Sequence, residues 1–192
     1  DASIDSSSAQ TLSLLTELRH AVEHHELRLY LQPKVPLHGQ SGAAAEALVR
    51  WQHPQRGLVP PMEFIPFAEQ TGFVRQLTLW MFEEVARFIA QMPATPGAGS
   101  GAGALRVSVN LSTRDLLDPE LSQRLGAILA RHGVAASAFC LEITESAIMD
   151  DPLRAEAMLN RLSEQGFKLS IDDFGTGYSS LAYLKRLPVD EL

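Results

Sequence analysis

Leu105-Arg106-Val107-Ser108-Val109-Asn110-Leu111-Ser112 alternates strictly. Val107, Val109 and Leu111 share one phase, while Ser108, Asn110 and Ser112 share the other. Period-two alternation predicts a strand. A helical segment follows from Pro119 to His132, and a strand beside a helix belongs in a parallel sheet. Parallel strands covered on both faces read as near-continuous apolar runs. This one does not, so one of its faces meets something other than a helix.

The flanking segments repeat the pattern. Phe139 to Thr144 sets Leu141 and Ile143 against Cys140, Glu142 and Thr144. Phe167 to Asp172 sets Leu169 and Ile171 against Ser170 and Asp172. Upstream, Ala43 to Trp51 sets Ala45, Ala47, Val49 and Trp51 against Glu46, Leu48 and Arg50. Leu27 to Val35 sets Leu29 and Leu31 against Tyr30, Gln32 and Lys34. Each strand thus has a helix-facing apolar phase and an inner phase with a polar group near its C-terminal end. A barrel explains this, because alternate side chains of all its strands point to a common axis, and functional groups gather at the C-terminal mouth. An open sheet fits less well, since its second face would also need apolar contact.

The rest of the chain agrees. Thr11 to Glu26 is a helix by the spacing of Leu14, Leu15, Leu18 and Val22. Pro36 to Gly42 is a turn short enough to make the first two strands antiparallel neighbours. After a proline-rich loop, a helical region from Met62 to Met92 breaks at Gly72. Pro93 to Gly103 is a surface loop, Pro152 to Gln165 a helix, and Tyr178 to Arg186 a short helix. Residues 1–10 are small and polar and read as a linker or cloning scar ahead of a domain over 11–192. Leu187 to Leu192 read as a loop entering another strand, so the natural domain is expected to continue.

The chain has 192 residues and is 45% hydrophobic, as one domain with a sizeable core requires. Its formal charge of −7 argues against a broad grip on DNA. No apolar run approaches the ~20 residues of a membrane span, so no direct membrane contact is expected. Cys140 is the only cysteine, which fits a reducing cytoplasm.

Glu46, Asn110, Glu142 and Asp172 converge on the inner phase. Three carboxylates and an amide oxygen form a hard-oxygen set suited to Mg²⁺ or Mn²⁺, and without a cation the carboxylates would repel. Asp173 would face away in a straight strand, but Gly175 and Gly177 let the loop turn it back to the mouth. One bridging and one separate carboxylate can hold two metals about 3.5–4 Å apart, as in phosphodiester hydrolysis. Taken singly, these acids are surface or capping residues. Asp172-Asp173 could be a turn signal, Glu145 could open a helix with Asp150 or Asp151 capping the next, and Arg50 could be a structural ion pair. His20 and His24, four apart, read as a solvated helix face. Cys140 reads as a small core residue, and Trp51, Trp80, Phe82 and Phe88 as core.

Glu46-Ala47-Leu48-Val49-Arg50-Trp51 resembles the motif that names the EAL domains, the cyclic di-GMP phosphodiesterases. Leu31-Gln32-Pro33-Lys34, Val109-Asn110-Leu111-Ser112, Leu141-Glu142-Ile143-Thr144-Glu145 and Asp172-Asp173-Phe174-Gly175-Thr176-Gly177-Tyr178-Ser179-Ser180 follow the family in order. The resemblance implies an α/β fold, a modified (β/α)8 TIM-like barrel with an antiparallel first strand. It implies hydrolysis of cyclic di-GMP to linear pGpG by a water activated between two Mg²⁺ or Mn²⁺ ions. Glu46, Asn110, Glu142 and Asp172 would bind the first metal, and Asp172 with Asp173 the second. Gln32, Leu48 and Arg50 would contact substrate, and Glu145 would brace the loop after Asp173, which in this family couples the metal site to homodimer contacts. An upstream sensory or GGDEF-type domain is expected in a parent that could itself be membrane-anchored. The family's catalytic lysine is expected next after Leu192, so the C-terminal part of the barrel is missing. The parent domain is then expected to be an enzyme, and this fragment inactive or unstable alone. The alternative is a catalytically silent domain that binds cyclic di-GMP or a protein partner; silent members typically lose metal ligands, and all five are present here.

Overall fold

A computed structural model describes residues 2–35, 42–92, 105–173 and 186–191, with side chains in the first helix described from residue 13 onward. The loop read at Pro93 to Gly103, most of the turn at Pro36 to Gly42 and nearly all of the helix read at Tyr178 to Arg186 lie outside the described residues.

Helix α1 spans Ala2–Glu23. It begins well before Thr11, so the polar start read as a linker carries helical backbone. Serine costs only tenths of a kcal/mol per helical position, and a small polar composition does not by itself end a helix. Strand β1 is Leu27–Lys34 and β2 is Ala44–His53, paired antiparallel with Gln32 opposite Glu46 and Tyr30 opposite Leu48. The chain then folds back as β3, Gly57–Val59, with Val59 opposite Trp51. The turn is built by His53 Nδ1 accepting from the backbone N–H groups of Gln55 and Arg56 at 3.1 Å, and by a positive φ of 71° at Gly57. This stretch was expected to be only a proline-rich loop.

Helix α2, Pro61–Thr71, starts on a proline whose missing N–H is no loss at that position. It stops at Gly72, which takes the left-handed conformation with φ 78°. Helix α3 is Val74–Gln91. Then come β4, Arg106–Leu111; α4, Thr113–Leu116; α5, Leu121–His132; a 3-10 turn over Ala136–Ala138; β5, Phe139–Thr144; α6, Glu145–Asp150; α7, Pro152–Glu164; and β6, Lys168–Asp172. Asp151 caps α7 by accepting from Arg154 N–H at 3.3 Å.

The sheet runs β1-β2-β4-β5-β6, with β3 on β2. Beyond the antiparallel β1–β2 and β2–β3 pairs, every pair of named strands is parallel. An isolated parallel bridge joins Ser170 of β6 to Glu191. The apolar phase packs against helices as the alternation requires. Val107, Val109, Leu111, Leu141, Ile143, Leu169 and Ile171 join Phe82, Val85, Leu125 and Leu159 in one buried cluster. At its centre Phe82 stacks on Phe139 with ring centroids 5.1 Å apart, and Phe167 meets both edge-on. Phe139→Ala there would cost about 3–5 kcal/mol. A second cluster around Trp51, Phe64 and Leu18 anchors α1 and α2. Phe88, expected in the core, is 38% exposed, because it lies on the outer side of α3.

Lys34 of β1 bonds the Glu142 carboxylate of β5. In a flat sheet, strands three places apart lie about 14 Å from each other and their side chains stand perpendicular to the sheet. The sheet must therefore curl until β1 faces β5. Curl, parallel pairing, outer helices and a polar inner phase together make this a (β/α)8-type barrel wall with an antiparallel first strand.

Candidate active site

The inner-phase residues form a staircase across the sheet. Glu46 pairs with Ser108, Asn110 with Glu142, and Thr144 with Asp172. Moving from β2 to β6, each successive candidate ligand is level with or two residues above the last. In a tilted, sheared barrel wall such a climb brings residues to a common height along the axis. The side chains confirm it at one step, since Asn110 Nδ2 donates to Glu46 Oε1 at 2.9 Å. That bond leaves the amide oxygen of Asn110 for another partner.

Glu142 is the buried member, only 6% exposed. A carboxylate so placed needs a counter-charge, and Lys34 supplies it. The Lys34 ammonium donates to Glu142 and, at 3.0 Å, to the buried Ser108 hydroxyl. Burial opposes the charge on Lys34, but the bond to Glu142 and the charges of Glu142 and Glu46 outweigh it, and its pKa is raised above the ordinary lysine value. Lys34 had an inner-phase position in the sequence but no assigned role; the available signal was a lysine sharing a strand phase with converging carboxylates.

Asp172 ends β6 exposed at the mouth. Asp173 follows with φ 55°, left-handed for a non-glycine residue, and its N–H donates to Asp172 Oδ1 at 2.9 Å. The chain thus turns sharply where the sequence placed a turn, and both acids leave one point of the sheet. Among the described residues, no three His, Cys, Asp or Glu side chains close into a metal-sized group. The Glu142 carboxylate is drawn to Lys34, and Asn110 turns a donor towards Glu46. The set still fits a hard divalent cation in kind: Glu46, Asn110 and Glu142 offer oxygen donors on one face, Asp172 sits at the strand end beside them, and the buried carboxylate already recruits a cation.

Gln32, Leu48 and Arg50 lie on the same face nearby. Gln32 is exposed opposite Glu46. Arg50 donates to Val49 O at 2.9 Å and stands over the Tyr30 ring, 5.7 Å from its centroid. A cavity of about 500 Å³ lies between the strand ends and helices α2 and α3; Leu48 and Asn110 border it, while Glu46, Glu142 and Asp172 do not. That volume suits a small organic ligand.

Glu145, expected to brace the loop after Asp173, is buried as the first residue of α6, with Thr144 as N-cap accepting from Ala147 N–H at 3.2 Å. The loop itself lies outside the described residues. Cys140 is buried, and burial together with the charges of Glu191 and Glu142 pushes its thiol up to about 11, so it is no nucleophile at neutral pH. His20 and His24 stack with centroids 3.7 Å apart on α1 and belong to no metal-sized group of side chains among the described residues.

The family model of the EAL domain matches residues 15–192. The chain is 41% identical over 192 residues to the bifunctional diguanylate cyclase/cyclic di-GMP phosphodiesterase MucR of Pseudomonas aeruginosa, covering 100% of this chain and 27% of that protein. It is 38% identical over 181 residues to the cyclic di-GMP phosphodiesterase PdeR of Escherichia coli, covering 94% and 26%. The chain therefore spans about a quarter of the length of these relatives. Among solved structures, the PaMucR phosphodiesterase in complex with c-di-GMP superposes with a TM-score of 0.81 at 41% identity, covering 93% of this chain and 70% of that one. The FimX EAL domain of Pseudomonas aeruginosa bound to c-di-GMP gives 0.81 at 25% identity, over 92% and 69%. No helix among the described residues is long and apolar enough to cross a membrane.

Proposed function

Because the chain belongs to the EAL domain family, we propose that it carries the metal-binding part of a site that hydrolyses cyclic di-GMP to linear pGpG. The staircase from Glu46 to Asp172, with its Asn110–Glu46 bond, supports this reading most directly. Glu46, Asn110, Glu142 and Asp172 would hold one Mg²⁺ or Mn²⁺, and Asp172 with Asp173 a second. Bound there, the pair supplies an acidified water as nucleophile and charge to offset the phosphate oxygens.

The chain's own residues do the rest. Arg50 offers a planar fork for a phosphate, and the Tyr30 ring beneath keeps it at the mouth. Gln32 donates or accepts from the neighbouring strand, and Leu48 gives a base an apolar rest beside the cavity. Glu145 anchors the start of α6, next to the strand end that carries Glu142, and steadies the loop beyond Asp173. The module works in the cytoplasm of a longer signalling protein, as a homodimer, downstream of a sensory or GGDEF-type domain.

A second reading rests on the Lys34–Glu142 pair. A buried carboxylate already neutralised by lysine suits a domain that binds cyclic di-GMP without cutting it. Incubation with cyclic di-GMP and Mn²⁺, using this chain and one extended by roughly 60 residues to barrel length, separates the two. The enzyme reading expects pGpG from the extended chain, lost in Glu46→Ala, and none from the shorter one. Tight binding with no product from either supports the receptor; equal turnover by both removes the claim that the shorter chain is inactive alone.

A further inference from the structure

Lys34 sits on the inner phase of β1 but has no part in the metal-dependent reading above. It lies on β1, the antiparallel strand, while the carboxylate it meets lies on β5 across the barrel interior. Its ammonium is anchored at two points, Glu142 and the buried Ser108 hydroxyl, so it is held and not merely nearby. Glu142 is also one of the four groups proposed to hold the first metal. A monovalent ammonium and a divalent cation thus share one buried carboxylate.

We propose that Lys34 is a built-in counter-ion that keeps the metal-free site assembled and sets how tightly the metal binds. The inference rests on the metal reading given above. Without metal, Lys34 offsets the burial of Glu142 and ties β1 to β4 and β5, which holds the barrel wall curled. When a divalent ion arrives, Lys34 must yield part of Glu142 or sit beside a second positive charge, and either lowers metal affinity. Two opposite effects of one residue follow. Removing its charge destabilises the metal-free protein, because a buried carboxylate loses its partner. The same removal frees that carboxylate for the metal. A lysine that merely oriented Glu142 for the metal would move both quantities in the same direction.

The test compares wild type, Lys34→Met and Lys34→Arg by thermal melting in chelator-treated buffer and by calorimetric titration with Mn²⁺ alone at pH 8. The Met variant is expected to melt lower without metal yet bind Mn²⁺ roughly fivefold or more tightly. The Arg variant, which keeps the charge, stays near wild type in both. If the Met variant does not fold, Lys34→Gln carries the same expectation. Mn²⁺ binding by the uncharged variant that is equal to or weaker than wild type overturns the proposal and leaves the metal site standing. Absence of Mn²⁺ binding by wild type overturns the metal site itself, and this proposal with it.

Discussion

Replacing Asp115 by alanine tests whether the turn that follows Asn110 is a structural keystone. Asp115 is 1% exposed, and its Oδ2 accepts from Ser112 N–H at 2.8 Å, Ser112 Oγ at 2.6 Å and Thr78 Oγ1 at 3.0 Å. Ser112 in turn caps α4 by accepting from Asp115 N–H at 3.3 Å. The pair closes a capping box two residues after Asn110, and the Thr78 bond ties it to α3. Alanine removes the box, worth about 1 kcal/mol. It also strands the Thr78 hydroxyl, itself buried, at about 1–3 kcal/mol. Against this, Asp115 Oδ1 is buried without a hydrogen-bond partner, and burial raises the carboxyl's pKa despite its bonds to Ser112 and Thr78. The net loss expected at pH 7 is about 2 kcal/mol. The sign of its pH dependence is fixed. A raised folded pKa means that the native state binds the proton more tightly than the unfolded chain, so wild type gains on the variant as pH falls towards the ordinary carboxyl value. Urea unfolding at pH 7 and pH 5, with equal m-values, reads both quantities. A difference below about 0.5 kcal/mol, or one that narrows on acidification, rules out this role for Asp115.

Three further outcomes are expected. The Cys140 thiol, with its pKa near 11, should be inert to a disulfide-exchange reagent at pH 8 and react only on unfolding; rapid labelling of native protein contradicts its burial. At Asp173 the left-handed φ of 55° tolerates Asn but penalises Val by about 1–2 kcal/mol, measured by metal-free melting; equal stability of the two variants contradicts the turn. Burial opposes the charge of Asp190, but the bonds from Lys168 at 2.7 Å and Leu169 N–H at 3.0 Å lower its pKa. Its contribution is complete above the ordinary carboxyl value and is lost as pH falls through the lowered one. Asp190→Asn should therefore flatten the loss of stability below about pH 4; an unchanged acid limb contradicts it.

What the sequence disclosed was set by range. The strand phases are local, so the alternation of Val107, Val109 and Leu111 against Ser108 and Asn110 sufficed to place the helix-facing core and the inner face. The break at Gly72 was equally local. The pairing of Lys34 with Glu142 crosses 108 positions and depends on the curl of the sheet, so no window of sequence contains it. Strand β3 is three residues long, too short to display a period. The stretch before Thr11 was judged on composition, yet Ala2–Glu23 is a single helix. Phe88 looked like core by residue type, but helix phase decides exposure, and its phase faces out.

Glu46, Asn110, Glu142 and Asp172 are proposed to hold a divalent metal. Crystals of the chain grown or soaked with Mn²⁺, with anomalous difference maps at the manganese edge, test it most directly. A peak bounded by those four side chains is expected, at metal–oxygen distances of about 2.0–2.3 Å, and it should disappear in Glu46→Gln combined with Asp172→Asn. A map with no peak there, while Glu142 still pairs with Lys34 at saturating Mn²⁺, contradicts it.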